Sequence, residues 1–264
     1  MKKIMWIMPV LVIVLVLAGC SDGGSGTSLK IPAIANLSVA SLSEYDISGP
    51  GAGPVPADEE EALKAFGDAF DIFNNSGIDF FGDAMDSGDG GPSPSIAREA
   101  YSASFDYVLD GLDEEYEDYG ISNLAGWIRG AASISEESLS FDFGFRLSYQ
   151  YDSDDDTTLD PGRDCWVKGK VNLLGDINMY FADEYYSMKI GEAYSIALAY
   201  YSPEVSGKFI LNFGLAVSDN NGSVDGPLYY ATLLVYDAAD VLQHTIDLNV
   251  EDISDFELIN PDTP

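Results

Sequence analysis

From Ser138 onward, apolar and polar side chains alternate with a period of two, and this alternation limits what the chain can fold into. In "LSFDFGFRLSYQY", Leu139, Phe141, Phe143, Phe145, Leu147, Tyr149 and Tyr151 alternate with Ser140, Asp142, Gly144, Arg146, Ser148 and Gln150. Successive strand side chains point to opposite faces, so the stretch is a long strand with one buried face. Cys165, Val167, Val171 and Leu173 resume the pattern after an acidic loop, and this register predicts a buried, inert thiol at Cys165. Gly175-Asp176 suits a tight hairpin turn with Ile177, Met179 and Phe181 returning, and Gly191-Glu192 marks a second break. Tyr194, Ile196, Leu198 and Tyr200 follow, then Phe209, Leu211, Phe213, Leu215 and Val217. Residues 218–227, "SDNNGSVDGP", form a loop, and residues 228–237 and 241–250 form a last hairpin around "DAAD". About eight strands result, joined by connections too short for parallel crossovers, so the expected sheet is an antiparallel meander.

One apolar face of such a sheet needs a cover, supplied by curling or by helices laid across it. Helices are expected upstream. A Pro/Gly linker at residues 48–58 ends at Asp58, which can cap a helix carrying Glu59, Glu60 and Glu61 in its first turn. Leu63, Phe66, Phe70 and Phe73 follow at helical spacing. Ser93-Pro94 opens a second predicted helix through Ile96, Ala100, Ala103, Tyr107 and Leu109, and a third is expected at residues 122–132 through Trp127. The fold class expected is therefore α+β. A helical part at residues 57–133 packs on an antiparallel region of about eight strands at residues 134–255, a curved sheet or half-barrel, with a tail at 256–264. The general shape resembles the open half-barrels of bacterial lipoprotein carriers.

The start of the chain gives an address. Lys2 and Lys3 precede an apolar run at residues 4–17 that is shorter than the ~20 residues of a membrane-spanning helix. Leu17-Ala18-Gly19-Cys20 then resembles the lipobox of bacterial lipoproteins. The resemblance implies a signal peptide at residues 1–19, cleavage before Cys20, and lipidation of the Cys20 thiol as a membrane anchor. Each buried CH₂ contributes ~0.8 kcal/mol, so two or three acyl chains hold a protein lastingly on a membrane. Residues 20–56 are expected to be a tether and irregular lead-in. Ser21 after the cysteine implies the outer membrane of the cell envelope rather than the inner.

Composition excludes one class of partner. Forty-five acidic residues against twelve Lys and Arg give a formal charge of −33, which becomes −35 once Lys2 and Lys3 leave with the signal peptide. Such a surface repels nucleic acid. Only two cysteines exist, so a lipidated Cys20 leaves Cys165 without a disulfide partner in the chain.

Candidate chemistry is sparse. Asp152, Asp154, Asp156 and Asp160 stand at positions 1, 3, 5 and 9 of a calcium-type loop, where hard oxygen ligands at alternate positions suit calcium. Thr157 occupies the glycine position and Arg163 the place of the bidentate acid, so a solvated inter-strand loop is the competing reading. Asp83, Asp86 and Asp89, and again Asp219, Asn221 and Asp225, repeat the theme with ordinary turn chemistry. His244 shares the register of Leu242, Ile246 and Leu248, as a hydrogen-bonded strand histidine does. No G-x-S-x-G, H-E-x-x-H or phosphate-binding glycine loop is present. Sixteen Tyr and thirteen Phe can fill a core or line a cavity for an amphiphile.

The function expected is non-enzymatic: a lipid-anchored envelope protein that binds an apolar ligand or another envelope component. The alternatives are a structural or adhesive surface lipoprotein without a pocket, and a secreted hydrolase using acidic residues. A lipid-facing barrel is disfavoured because several strands look shorter than the 9–11 residues required.

Overall fold

The computed structural model describes residues 29–74, 95–97, 100–153 and 165–248. Nine strands among them form one antiparallel sheet in which every strand pairs with its chain neighbours: β1 (Ser95–Ala97), β2 (Ala100–Val108), β3 (Ile121–Ser135), β4 (Ser138–Asp152), β5 (Trp166–Ala182), β6 (Tyr185–Tyr201), β7 (Gly207–Asn220), β8 (Ser223–Tyr236) and β9 (Leu242–Asp247). No pairing joins β1 to β9 among the described residues, so the sheet is not closed. One long helix, α1 (Glu59–Asn74), and one short one, α2 (Asp113–Tyr116), accompany it.

The antiparallel meander agrees with the alternation. Of the helices expected within residues 57–133, the described residues show the first as α1, and the short α2 falls where none was expected. Asp58 Oδ1 accepts the Glu61 amide at 2.9 Å and Glu61 Oε2 accepts the Ala57 amide at 2.7 Å, a reciprocal start to the helix. Residues 100–108 are a strand, with Phe105 and Tyr107 packed on the core and Asp106 exposed. The expected third helix is β3. There Ile121, Leu124 and Ile128 are all buried, at helix-like spacings of three and four. A bulge between Ser122 and Ala125 inserts the extra residue, with Asn123 at φ 53°. Gly126 follows at φ 135°, where a Cβ would lie 1.8 Å from the Arg146 carbonyl oxygen.

Gly175-Asp176 and Gly191-Glu192 are not turns. β5 and β6 run unbroken through them for 17 residues each. The glycines make room for neighbours. The Phe145 ring lies where a Gly175 side chain would stand, and Pro32 sits over Gly191. Residues 218–227 are mostly strand as well, with the turn confined to Asn221 and Gly222. β3 to β8 therefore span 14 to 17 residues each. The expectation of strands too short for a barrel is overturned. The face opposite α1 nevertheless carries Asp106 and Arg129, paired at 2.8 Å, with exposed Arg146, Asp176 and Lys189, groups that are costly against lipid.

Both faces are covered at one end of the sheet. On one face, Ala62, Ala65, Phe66, Ala69 and Phe73 of α1 join the main core. Phe73 meets Tyr151 edge-on with ring centroids 5.1 Å apart, and Phe66 lies 6.1 Å from Phe209. On the other face, residues 29–56 form a strap rather than a free lead-in. Leu42 and Ile47 bury against Trp166, Ala199, Tyr201 and Ile210. The Leu37 amide donates to Ser195 Oγ at 2.8 Å, Asn172 Nδ2 donates to the Ala35 carbonyl at 2.8 Å, and Lys170 pairs with Glu44 at 2.9 Å. The strap then rounds the β6–β7 connection. The Gly53 amide donates to the Ser202 carbonyl and the Ser206 amide to the Pro54 carbonyl, at 2.8 and 2.9 Å. His244 Nε2, on β9, donates to the Pro56 carbonyl at 3.0 Å just before α1 begins.

Phe145 is 5 % exposed on the α1 face, whereas Asp142 and Arg146 on the same strand are exposed. Phe145→Ala should therefore cost about 3–5 kcal/mol and lower the thermal midpoint by many degrees. Asp142→Ala should stay within about 0.5 kcal/mol. Thermal melts of the two variants check the register; equal shifts contradict it.

Candidate functional site

The helix-bearing face continues along the strands beyond the reach of α1. Ile177, Ile190, Leu215 and Val217 remain buried there, at 1 to 6 % exposure. Glu192 stands among them, 2 % exposed, on the register of Ile190 and Tyr194. In the ladder it lies between Gly175 and Leu215, and the space over Gly175 is filled by the Phe145 ring. The Tyr194 hydroxyl donates to Glu192 Oε2 at 2.5 Å. Tyr194 in turn stacks on Phe213, with centroids 5.5 Å apart. Burial pushes the Glu192 carboxyl above its ordinary range, and the Tyr194 hydrogen bond opposes that rise in part. Burial and the neighbouring carboxylate push the Tyr194 phenol well above its own.

A second tyrosine–carboxylate pair lies further along the same face. Asp219, 5 % exposed, accepts from the Tyr186 hydroxyl and from the Gly222 amide, both at 2.9 Å. The Asp219 bond raises the Tyr186 phenol. Past this pair the face ends in an exposed apolar row. Ile134, Leu139 and Phe181 occupy three adjacent strands in direct register and are 48, 39 and 42 % exposed. The Phe181 ring stacks on Tyr186 at 6.4 Å. Such a surface offers hydrocarbon contact with two embedded hydrogen-bonding pairs, a layout that suits an amphiphile. On the opposite face, near the same end, a groove of about 400 Å³ is lined by Leu29, Asp142, Asn178, Tyr180, Lys189 and Asn220.

The residues singled out in the sequence fall elsewhere. Asp152 ends β4 and pairs with Lys168 at 2.9 Å. Asp154, Asp156 and Asp160 lie outside the described residues, as do Cys20 and Asp83, Asp86 and Asp89. No group of three metal-ligating side chains converges among the described residues. Asp219 and Asn221 serve the β7–β8 turn: Asn221 Oδ1 accepts the Tyr186 amide at 3.4 Å. Cys165 is exposed, contrary to the expected burial. It keeps the inward register but precedes the first residue of β5, beyond the cover that the core gives the strand. Glu192 escaped the sequence reading because it stood beside a glycine taken for a turn. Its signal was a lone acid on an apolar register.

No family model, curated protein or solved structure matches the chain.

The Glu192 shift makes stability depend on pH. A carboxyl whose folded pKa is raised favours the protonated form. Its contribution is full below the ordinary value of about 4.5 and is lost as pH rises through the elevated folded value. Glu192→Gln keeps an acceptor for Tyr194 and has no charge to bury. Its thermal midpoint should match the parent at low pH and exceed it at neutral pH. An identical pH profile for the two proteins would contradict the buried-carboxyl assignment.

Proposed function

We propose that this protein is a lipid-anchored envelope lipoprotein whose helix-bearing face binds an apolar or amphiphilic ligand without chemical turnover. The address rests on Leu17-Ala18-Gly19-Cys20, with Ser21 directing the protein to the outer membrane. The observation that carries the binding role is the length of the apolar face. It extends well past α1, remains buried through Ile190 and Val217, and emerges as the exposed row Ile134, Leu139 and Phe181. The Asp219–Tyr186 pair, beside the exposed row, gives a ligand's polar end a hydrogen-bonding partner next to an apolar surface.

Two measurements test this reading. Cys20→Ser should abolish partition into detergent phase and leave the signal peptide uncut; a variant that still takes up labelled palmitate removes the anchor. Native mass spectrometry of protein purified without detergent should show a retained small apolar ligand, released on organic extraction. A bare chain that also fails to take up fatty acids or lipids would favour a purely structural envelope protein.

A further inference from the structure

We propose that the end of the sheet bearing the β3–β4 and β5–β6 turns docks on the surface of the bilayer that holds the Cys20 lipid, and that it prefers a zwitterionic surface. The inference rests on the lipid-anchor reading above and adds an orientation and a membrane chemistry.

The geometry begins with the strap. Its first described residue, Leu29, lies against Gly226 and lines the groove with Asn178, Tyr180 and Lys189. From there the strap climbs the sheet away from these turns. Ile31 lies against Gly214, the Leu37 amide reaches Ser195, and Tyr201 donates to the Pro50 carbonyl. The strap therefore begins near the turn end of the sheet. Nine residue steps separate Leu29 from Cys20 and reach at most about 30 Å when fully extended. The β5–β6 turn lies five residues beyond Asn178, about 17 Å along the strand. The opposite end, at Trp166, lies twelve residues the other way, about 40 Å. A lipid on Cys20 can thus hold the turn end at the membrane, and in an upright pose the opposite end lies beyond its reach.

The turn end is also the part of the sheet whose surface suits an interface. Ile134, Leu139 and Phe181 are exposed on one face, and Tyr180 and Tyr185 on the other, at 39 and 47 % with their rings 6.0 Å apart. Tyrosines with one wet and one apolar side gather at headgroup depth. The turns themselves carry exposed Glu136, Glu137, Asp183 and Glu184. Four carboxylates at the tips repel an anionic surface and complement the ammonium groups of zwitterionic headgroups, within a screening length of about 8 Å at physiological salt. Docking in this pose keeps the four carboxylates among the headgroups and brings the exposed row of the apolar face to the edge of the headgroup layer, facing the bilayer from which an apolar ligand would come.

The test uses the full lipidated protein in vesicles. Cys20 is blocked by its lipid, so Cys165 is the one free thiol of the mature chain, and it stands exposed at the end opposite the turns. A fluorophore on Cys165 reports the distal end. One on Glu184→Cys in a Cys165→Ser background reports the turn end. In phosphatidylcholine vesicles carrying a headgroup nitroxide, the label at position 184 should be quenched and the label at 165 should not. Quenching should fall when phosphatidylglycerol replaces phosphatidylcholine. Leu139→Asp with Phe181→Asp, both at exposed sites, should lose the quenching while the anchor stays in the bilayer. Equal quenching at both labels, none at 184, or no effect of either lipid composition or the double substitution overturns the docking. A protein that never partitions with lipid through Cys20 overturns the anchor reading itself, a separate and recognisable result.

Discussion

The fold depends on covering the central strands from both sides with one stretch of chain. Over residues 193–201 of β6 every position but one is buried, on both faces of the sheet. A strand in that position needs two layers against it. The strap supplies one through Leu42 and Ile47, and α1 supplies the other through Phe66 and Phe73. The two layers are consecutive in sequence and are joined around the β6–β7 connection by backbone hydrogen bonds at Gly53 and Ser206. The helix cannot pack without fixing where the strap leaves the sheet, and the strap cannot leave elsewhere without carrying the helix off its face.

The sheet was legible wherever one face is apolar and the other polar, as along β4, because a period of two has no competing explanation there. It was obscured where small residues replace large ones and where the ladder is irregular. In β3, Ala125, Gly126, Gly130, Ala131 and Ala132 carry little hydrophobic contrast, and the bulge spaces Ile121 and Leu124 as a helix would. Gly175 and Gly191 were misleading for a different reason. A glycine marks either a change of direction or a close approach, and only the three-dimensional neighbours, Phe145 and Pro32, distinguish the two. The Glu192 pair was hidden by the same ambiguity. The strap was invisible because its apolar residues have no period, being matched one by one to a surface made by distant strands.

Charge is distributed unevenly over this frame. The few cations sit largely on the strap face and are spent on local pairs: Lys168 with Asp152, Lys170 with Glu44, and the buried Lys208 with Asp240 at 2.7 Å. Exposed pairs of this kind contribute little to stability. Lys208, at 3 % exposure, differs, because removing its partner would leave a charge out of water. The helix-bearing face holds its acids singly and bonded to tyrosine, which separates a surface built for water from one built for hydrocarbon.

The reach of the strap has a consequence for the order in which the chain folds. Each strand of the meander pairs with the next in sequence, so hairpins can form locally. The strap and its exit to α1 must wait, because their partners Ser195 and His244 lie 158 and 188 residues further on. Contacts of such separation form after the local ones. The final docking of the strap would then be the step that closes both faces of the central strands at once.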